Sequence, residues 1–171
     1  GRWRCESCVF AYDFDKFEAA DILPLFKKYN ITTFCAPPTM FRFFIKAGIE
    51  NYDLSSLKHT TIAGEALNPE VFYKFKEYTG LSLMEGFGQT ETTLTIANFV
   101  GDTPKPGSMG HPSPMYDVDI ITPEGKSCEV GETGEIVIRT TEEAPCGLFK
   151  GYYKNEEATR EAWHDGYYHT G

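Results

Sequence analysis

The stretch "TTIAGEALNPEVFYKFKEYTGLSLMEGFGQTE" (60–91) decides the fold class. It opens on a short apolar run, Thr60 to Ala63, which stops at Gly64 and reads as a buried strand. Asn68-Pro69 then starts a helix, because Asn caps the free N–H groups and Pro at the first helical position forfeits no hydrogen bond. Val71, Phe72, Phe75 and Thr79 share one side of that helix, Gly80 ends it, and Leu81 to Glu85 reads as the next strand. Short buried strands alternating with helices of about ten residues imply a parallel sheet covered on both faces.

The same alternation runs upstream. Ile22, Leu25, Phe26 and Tyr29 fall at helical spacing, with Pro24 placed near the first turn. An apolar run from Ile31 to Ala36 is halted by Pro37-Pro38, and a second helix shows Met40, Phe43, Phe44 and Ala47 on one face before Gly48. Downstream the composition changes: "GDTPKPGSMGHPSPM" (101–115) holds four prolines and three glycines. Beyond it, Val118 and Ile120 alternate with Asp117 and Asp119, and Ile136 and Ile138 with Glu135, Val137 and Arg139. Period two with Pro-Glu-Gly and Gly-Glu-Thr-Gly turns between the runs means antiparallel hairpins. Asn155 caps a short helix whose first turn carries Glu156 and Glu157. The expected organisation is an α/β segment over 1–100, a linker over 101–115 and a smaller, barrel-like β-rich segment over 116–171.

Hydrophobic content of 41% and aromatic content of 15% indicate a packed core within the 171 residues. A net charge of −9 with no basic run argues against a protein that coats nucleic acid, since neutralising phosphates takes clustered Lys and Arg. No apolar stretch approaches the roughly 20 residues a membrane helix needs. A cytoplasmic protein without nucleic-acid or membrane partners is the expectation. Five cysteines suit reduced thiols; Cys5 and Cys8 have metal or redox spacing, but no second ligand pair follows, so they read as incidental.

In a parallel α/β sheet, ligands bind beyond the carboxyl ends of the strands. Three segments ending predicted strands carry unusual residues: "APPT" (36–39), "GEA" (64–66) and "EGFGQTE" (85–91). If the strands are parallel, all three share one edge. Gly86 and Gly88 let backbone approach a ligand closely, Phe87 can stack on a base, Thr90 offers a hydroxyl to a phosphate oxygen, and Glu91 offers a hard oxygen to Mg²⁺. A magnesium nucleotide suits that set. A glycine-rich turn with Phe87 in the core and Glu91 in solvent suits the spacing equally. Gly125-Lys126-Ser127 mimics the end of a phosphate loop but reads as a hairpin turn, and His59, His111, His164 and His169 lack metal-ligand spacing.

"TIAGEALNPE", "LSLMEGFGQTE", "KPGSMGHPSP", "GETGEIVIR" and "GYYKNEEATREAWHDGYYHTG", in that order, closely resemble consecutive motifs of the adenylate-forming superfamily, specifically acyl-CoA synthetases of the acetyl and medium-chain type. The resemblance covers nearly the whole chain. It implies an AMP-forming ligase that activates a short- or medium-chain carboxylate with ATP as acyl-AMP and passes the acyl group to coenzyme A. By resemblance, Gly64, Glu65 and Ala66 line the adenine, with Glu85, Gly86, Phe87, Gly88 and Gln89 on its other side. Thr90 touches the α-phosphate and Glu91 holds Mg²⁺, the two catalytic residues. Gly88, where acetate-specific relatives carry an indole, implies an acyl pocket open to a longer tail. A carrier-loading adenylation unit, an aryl-CoA ligase and a non-catalytic nucleotide-binding domain are the alternatives.

The family's serine-, threonine- and glycine-rich phosphate loop is not in this sequence. Nor are the acid that follows the Thr-Gly pair, the hinge and the small C-terminal domain with its lysine. The chain therefore reads as a piece of the large N-terminal domain, inactive by itself.

Overall fold

Asn68 caps the central helix as the sequence requires: its side-chain oxygen accepts the Glu70 N–H at 2.8 Å, and Pro69 follows at the first helical position. That helix, α3 (Pro69–Thr79), joins β2 (His59–Ile62) to β3 (Leu83–Gly88). Upstream lie α1 (Ala19–Lys28), β1 (Thr33–Ala36) and α2 (Pro38–Lys46). The chain is described by a computed structural model over residues 6–140 and 145–171, so the pair Cys5–Cys8 lies partly outside the described residues. The described residues divide into two compact units, Gly1–Glu85 with Pro104–Ser108, and Gly86–Thr103 with Met109–Gly171. The Pro/Gly-rich segment expected over 101–115 is divided between them.

In the first unit β1, β2 and β3 are parallel and consecutive, with Ala36 opposite Ile62 and Ile62 opposite Glu85. The helices bury Leu23, Phe26, Phe41, Phe44, Val71, Phe72 and Phe75 against Ile62 and Leu83. Phe26 meets Phe34 edge to face at 5.0 Å, and Phe41 meets Phe75 likewise at 5.1 Å, an arrangement the ring quadrupole favours. The buried face of α3 agrees with the sequence; those of α1 and α2 differ. Helix α1 buries Ala19, Leu23 and Phe26, leaves Tyr29 exposed as its cap, and carries Pro24 in its interior. Helix α2 buries Pro38, Phe41 and Phe44 while Phe43 faces solvent. Both helices are apolar on more than one side, and packing chose the neighbouring stripe.

The second unit begins in the last residues of β3. Gly86 and Phe87 pair antiparallel with Ala97 and Ile96 of β4 (Leu94–Ala97), with a register shift between Phe87 and Gly88. Strand β4 pairs in turn with β5 (His111–Pro112). Four further strands, β6 (Val118–Ile121), β7 (Glu135–Arg139), β8 (Trp163–His164) and β9 (Tyr167–His169), form an antiparallel sheet in the order β6-β7-β9-β8. Helix α4 (Glu156–Ala162) is capped by Asn155, whose side chain accepts the Ala158 N–H. Tyr116, Ile138, Leu148 and Tyr168 form the core of this unit. The expected architecture, parallel strands with flanking helices followed by an antiparallel β-rich part, is therefore present. The glycine-rich run 86–88 differs from a turn: it is strand. No helix among the described residues is long and apolar enough to cross a membrane.

Candidate functional site

In the first unit the in-register ends of β1, β2 and β3 bring "APPT", "GEA" and Glu85, the first residue of "EGFGQTE", to one edge. The Thr39 hydroxyl donates to Glu65 Oε2 at 2.7 Å, tying "APPT" to "GEA". Glu85, only 7% exposed, accepts the Leu67 N–H on Oε1 at 3.3 Å and so holds the loop that carries Gly64, Glu65 and Ala66. Gly64 has φ +94°, a conformation that side chains other than glycine's disfavour, and nothing lies within 4 Å of where its Cβ would be. Gly64, Glu65 and Ala66 are exposed, whereas Glu85 is committed to the loop.

In the second unit Gln89 to Thr93 turn from β3 into β4, and almost every side-chain polar group in that turn is committed to the protein. The Gln89 side-chain N–H donates to the Thr170 carbonyl at 2.7 Å, and its Oε1 accepts the Tyr168 hydroxyl at 2.8 Å. Thr92 Oγ1 accepts the Gln89 N–H and donates to the Thr93 carbonyl. The Tyr116 hydroxyl accepts the Thr93 N–H at 3.1 Å and lies 2.8 Å from its Oγ1. The Glu91 carbonyl accepts the Phe149 N–H at 2.7 Å, and Glu91 Oε1 accepts the Tyr152 hydroxyl at 3.0 Å. Two side-chain groups of the turn are left over among the described residues: the exposed Thr90 hydroxyl and Glu91 Oε2.

Glu91 and Gln89 look into a cleft of about 880 Å³ that is also lined by Tyr152, Glu161, Tyr168 and Thr170. Five carboxylates border it (Glu91, Glu124, Glu135, Glu161 and Asp165) and, among the described residues, no Lys or Arg does. The hydrogen bond to Glu91, then burial, raises the Tyr152 phenol, which stays a donor through the neutral range. Burial, then the negative charge of Glu91 and the neighbouring Tyr152 phenol, pushes Tyr168 up to about 12. Burial pushes Glu135 up, but the hydrogen bonds from His169 Nδ1 (2.9 Å) and the Gly171 N–H (3.0 Å) outweigh it and leave the carboxyl below its ordinary value. His164 stacks on His169 with ring centroids 3.7 Å apart. Through Glu135, His169 ties β9 to β7.

A divalent cation fits this donor set in one way only. No cluster of three His, Cys, Asp or Glu among the described residues can cage a metal. Mg²⁺, however, is commonly held by one or two carboxylates plus substrate phosphates and water, which is what Glu91 Oε2 beside the Thr90 hydroxyl can support. An acid-lined cleft also repels a polyphosphate that arrives without a cation.

Residues 6–153 match a family model described as AMP-binding enzyme. The chain belongs to that family. Among relatives, it is 41% identical over 169 residues to Acyl-coenzyme A synthetase ACSM3, mitochondrial, of Mus musculus, and 40% identical over 169 residues to ACSM5 of Homo sapiens. Each match covers 99% of this chain and 29% of the relative, so the chain spans about 29% of the length of these AMP-binding enzymes. Among solved structures, the anthranilate CoA ligase AuaEII in complex with anthranoyl-AMP superposes with a TM-score of 0.81 at 30% identity, over 90% of this chain and 29% of that one. An acyl-CoA synthetase of Brucella canis gives 0.80 at 31% identity, over 91% and 29%.

The sequence singled out Thr90 and Glu91, the two residues with uncommitted groups. It did not find Tyr116, Tyr152 or Tyr168, which hold the turn from 23 to 79 residues away. Only the tertiary contacts carry that signal.

Proposed function

We propose that this chain supplies the phosphate- and metal-facing turn of an AMP-forming acyl-CoA synthetase for short- or medium-chain carboxylates. The single observation that carries the reading is the turn 89–93. A turn braced this fully, with one hydroxyl and one carboxylate oxygen left over, is preorganised for a ligand with anionic oxygens and a cation. The substrate carboxylate oxygen would attack the α-phosphorus of ATP, expelling pyrophosphate, and the thiol of coenzyme A would then attack the acyl carbon and release AMP. The Thr90 hydroxyl would donate to an α-phosphate oxygen, and Glu91 Oε2 would hold Mg²⁺. Bound there, the cation would offset phosphate charge as the new P–O bond forms.

The adenine contacts expected of Gly64, Glu65, Ala66 and Phe87 follow the same resemblance. For Gln89 and Glu85 the geometry favours a bracing role over direct contact, since their side-chain groups hold Thr170, Tyr168 and Leu67. The open acyl pocket proposed at Gly88 stands beside a second reason for that glycine, the close approach of the Thr93 backbone.

Carboxylate-dependent exchange of pyrophosphate into ATP by the intact protein, run over acids of two to twelve carbons, tests the reading. Exchange peaking above acetate and lost in Glu91→Gln supports it; nucleotide binding without exchange for any acid favours the non-catalytic alternative. The 171-residue chain alone is expected to release no pyrophosphate. Residence in the cytoplasm remains the proposal from charge and composition, against the mitochondrial names of the relatives, and fractionation of cells decides it.

A further inference from the structure

Tyr152 reaches Glu91 from a rigid segment. Its N–H donates to Thr159 Oγ1 at 2.9 Å, its ring packs edge-on against Phe149 at 4.8 Å, and the Phe149 N–H holds the Glu91 carbonyl at 2.7 Å. Its hydroxyl therefore donates to Glu91 Oε1 at 3.0 Å from a fixed position. A carboxylate with one oxygen engaged in this way offers its other oxygen to a cation more readily than the two together. Mg²⁺ demands near-octahedral geometry at about 2.1 Å and takes a carboxylate through one oxygen; Ca²⁺, larger and bound by 6–8 oxygens, readily takes both.

We propose that Tyr152 is a specificity-determining positioning residue: by occupying Glu91 Oε1 it enforces one-oxygen ligation and biases the site toward Mg²⁺ over Ca²⁺. This rests on the reading of Glu91 as the metal carboxylate. Removing the hydroxyl frees the second oxygen, which improves the site for Ca²⁺ and leaves the Mg²⁺ ligand less well oriented. The adjacent Tyr153, 87% exposed, has no such contact and serves as control.

The test is calorimetric titration of Mg²⁺ and of Ca²⁺ into the intact protein loaded with α,β-methylene-ATP, for the wild type, Tyr152→Phe, Tyr153→Phe and Glu91→Gln. Phenylalanine keeps the ring against Phe149, and a thermal melt verifies the fold. The expected result is a Mg²⁺/Ca²⁺ affinity ratio lowered about fivefold in Tyr152→Phe, the equivalent of one hydrogen bond, with Tyr153→Phe unchanged and both cations weakened in Glu91→Gln. An unchanged ratio in Tyr152→Phe, with Glu91→Gln still weakening both cations, overturns the role of Tyr152 and leaves the function standing. Unaltered metal binding in Glu91→Gln overturns the reading beneath it.

Discussion

A Cβ at position 88 would lie 2.4 Å from the Thr93 carbonyl oxygen, a contact only backbone movement can relieve. At Gly86 the nearest atom, at 2.8 Å, is the far end of the exposed Leu94 side chain, which can turn away. Gly88→Ala should therefore cost about 1–3 kcal/mol in urea unfolding, whereas Gly86→Ala stays within about 1 kcal/mol of wild type. Equal costs would show that the turn is looser than its hydrogen bonds imply. At this scale, chemistry that is local can be read from the sequence: Thr90 and Glu91 stand out as a hydroxyl beside a carboxylate after two glycines, and their role is a proposal. The bonds that Gln89 and Glu85 make could not be read there, because the partners that engage them are distant in the chain.

Among the elements, α3 was legible to its ends because a capping Asn, a Pro and a closing Gly all act within a few residues of themselves. Asn68→Ala should cost about 1 kcal/mol of stability, read from denaturant midpoints, by stranding the Glu70 N–H. The faces of α1 and α2 were less legible, since Phe43 and Phe44 are equally apolar and only the position of the sheet chooses between them. Strand β3 was half legible. Leu83 to Glu85 read as strand, but glycines usually weaken strands, so the continuation through Gly88 depends on antiparallel pairing with β4.

The pairing of β7 with β9 carries a pH dependence. Glu135 has its carboxyl held below the ordinary 4.5 in the folded protein, so it contributes stability that is present above that value and lost as pH falls through the folded one. Glu135→Gln should lower stability at neutral pH and flatten the acid limb of a stability–pH curve below about pH 4.5. An unchanged acid limb would mean that the His169 and Gly171 contacts do not survive in solution.

For the whole molecule, five motifs in order predicted the family, and a family match over 6–153 bears it out. Composition alone named no function: −9 charges argue against a nucleic-acid coat and leave the ligand open. On the proposed reading the acid-lined cleft gives that charge local meaning, because an anionic nucleotide would reach Glu91 with a cation. The braced turn would then decide which groups the nucleotide meets.

The most direct measurement is Mg²⁺-dependent binding of ATP to the intact protein, followed by calorimetry in Thr90→Val, Glu91→Gln and, as a control outside the cleft, Tyr153→Phe. Affinity reduced about tenfold in each of the first two, the loss of one charge-assisted contact, with Tyr153→Phe at the wild-type value, is the predicted result. Wild-type affinity in both Thr90→Val and Glu91→Gln would contradict the account.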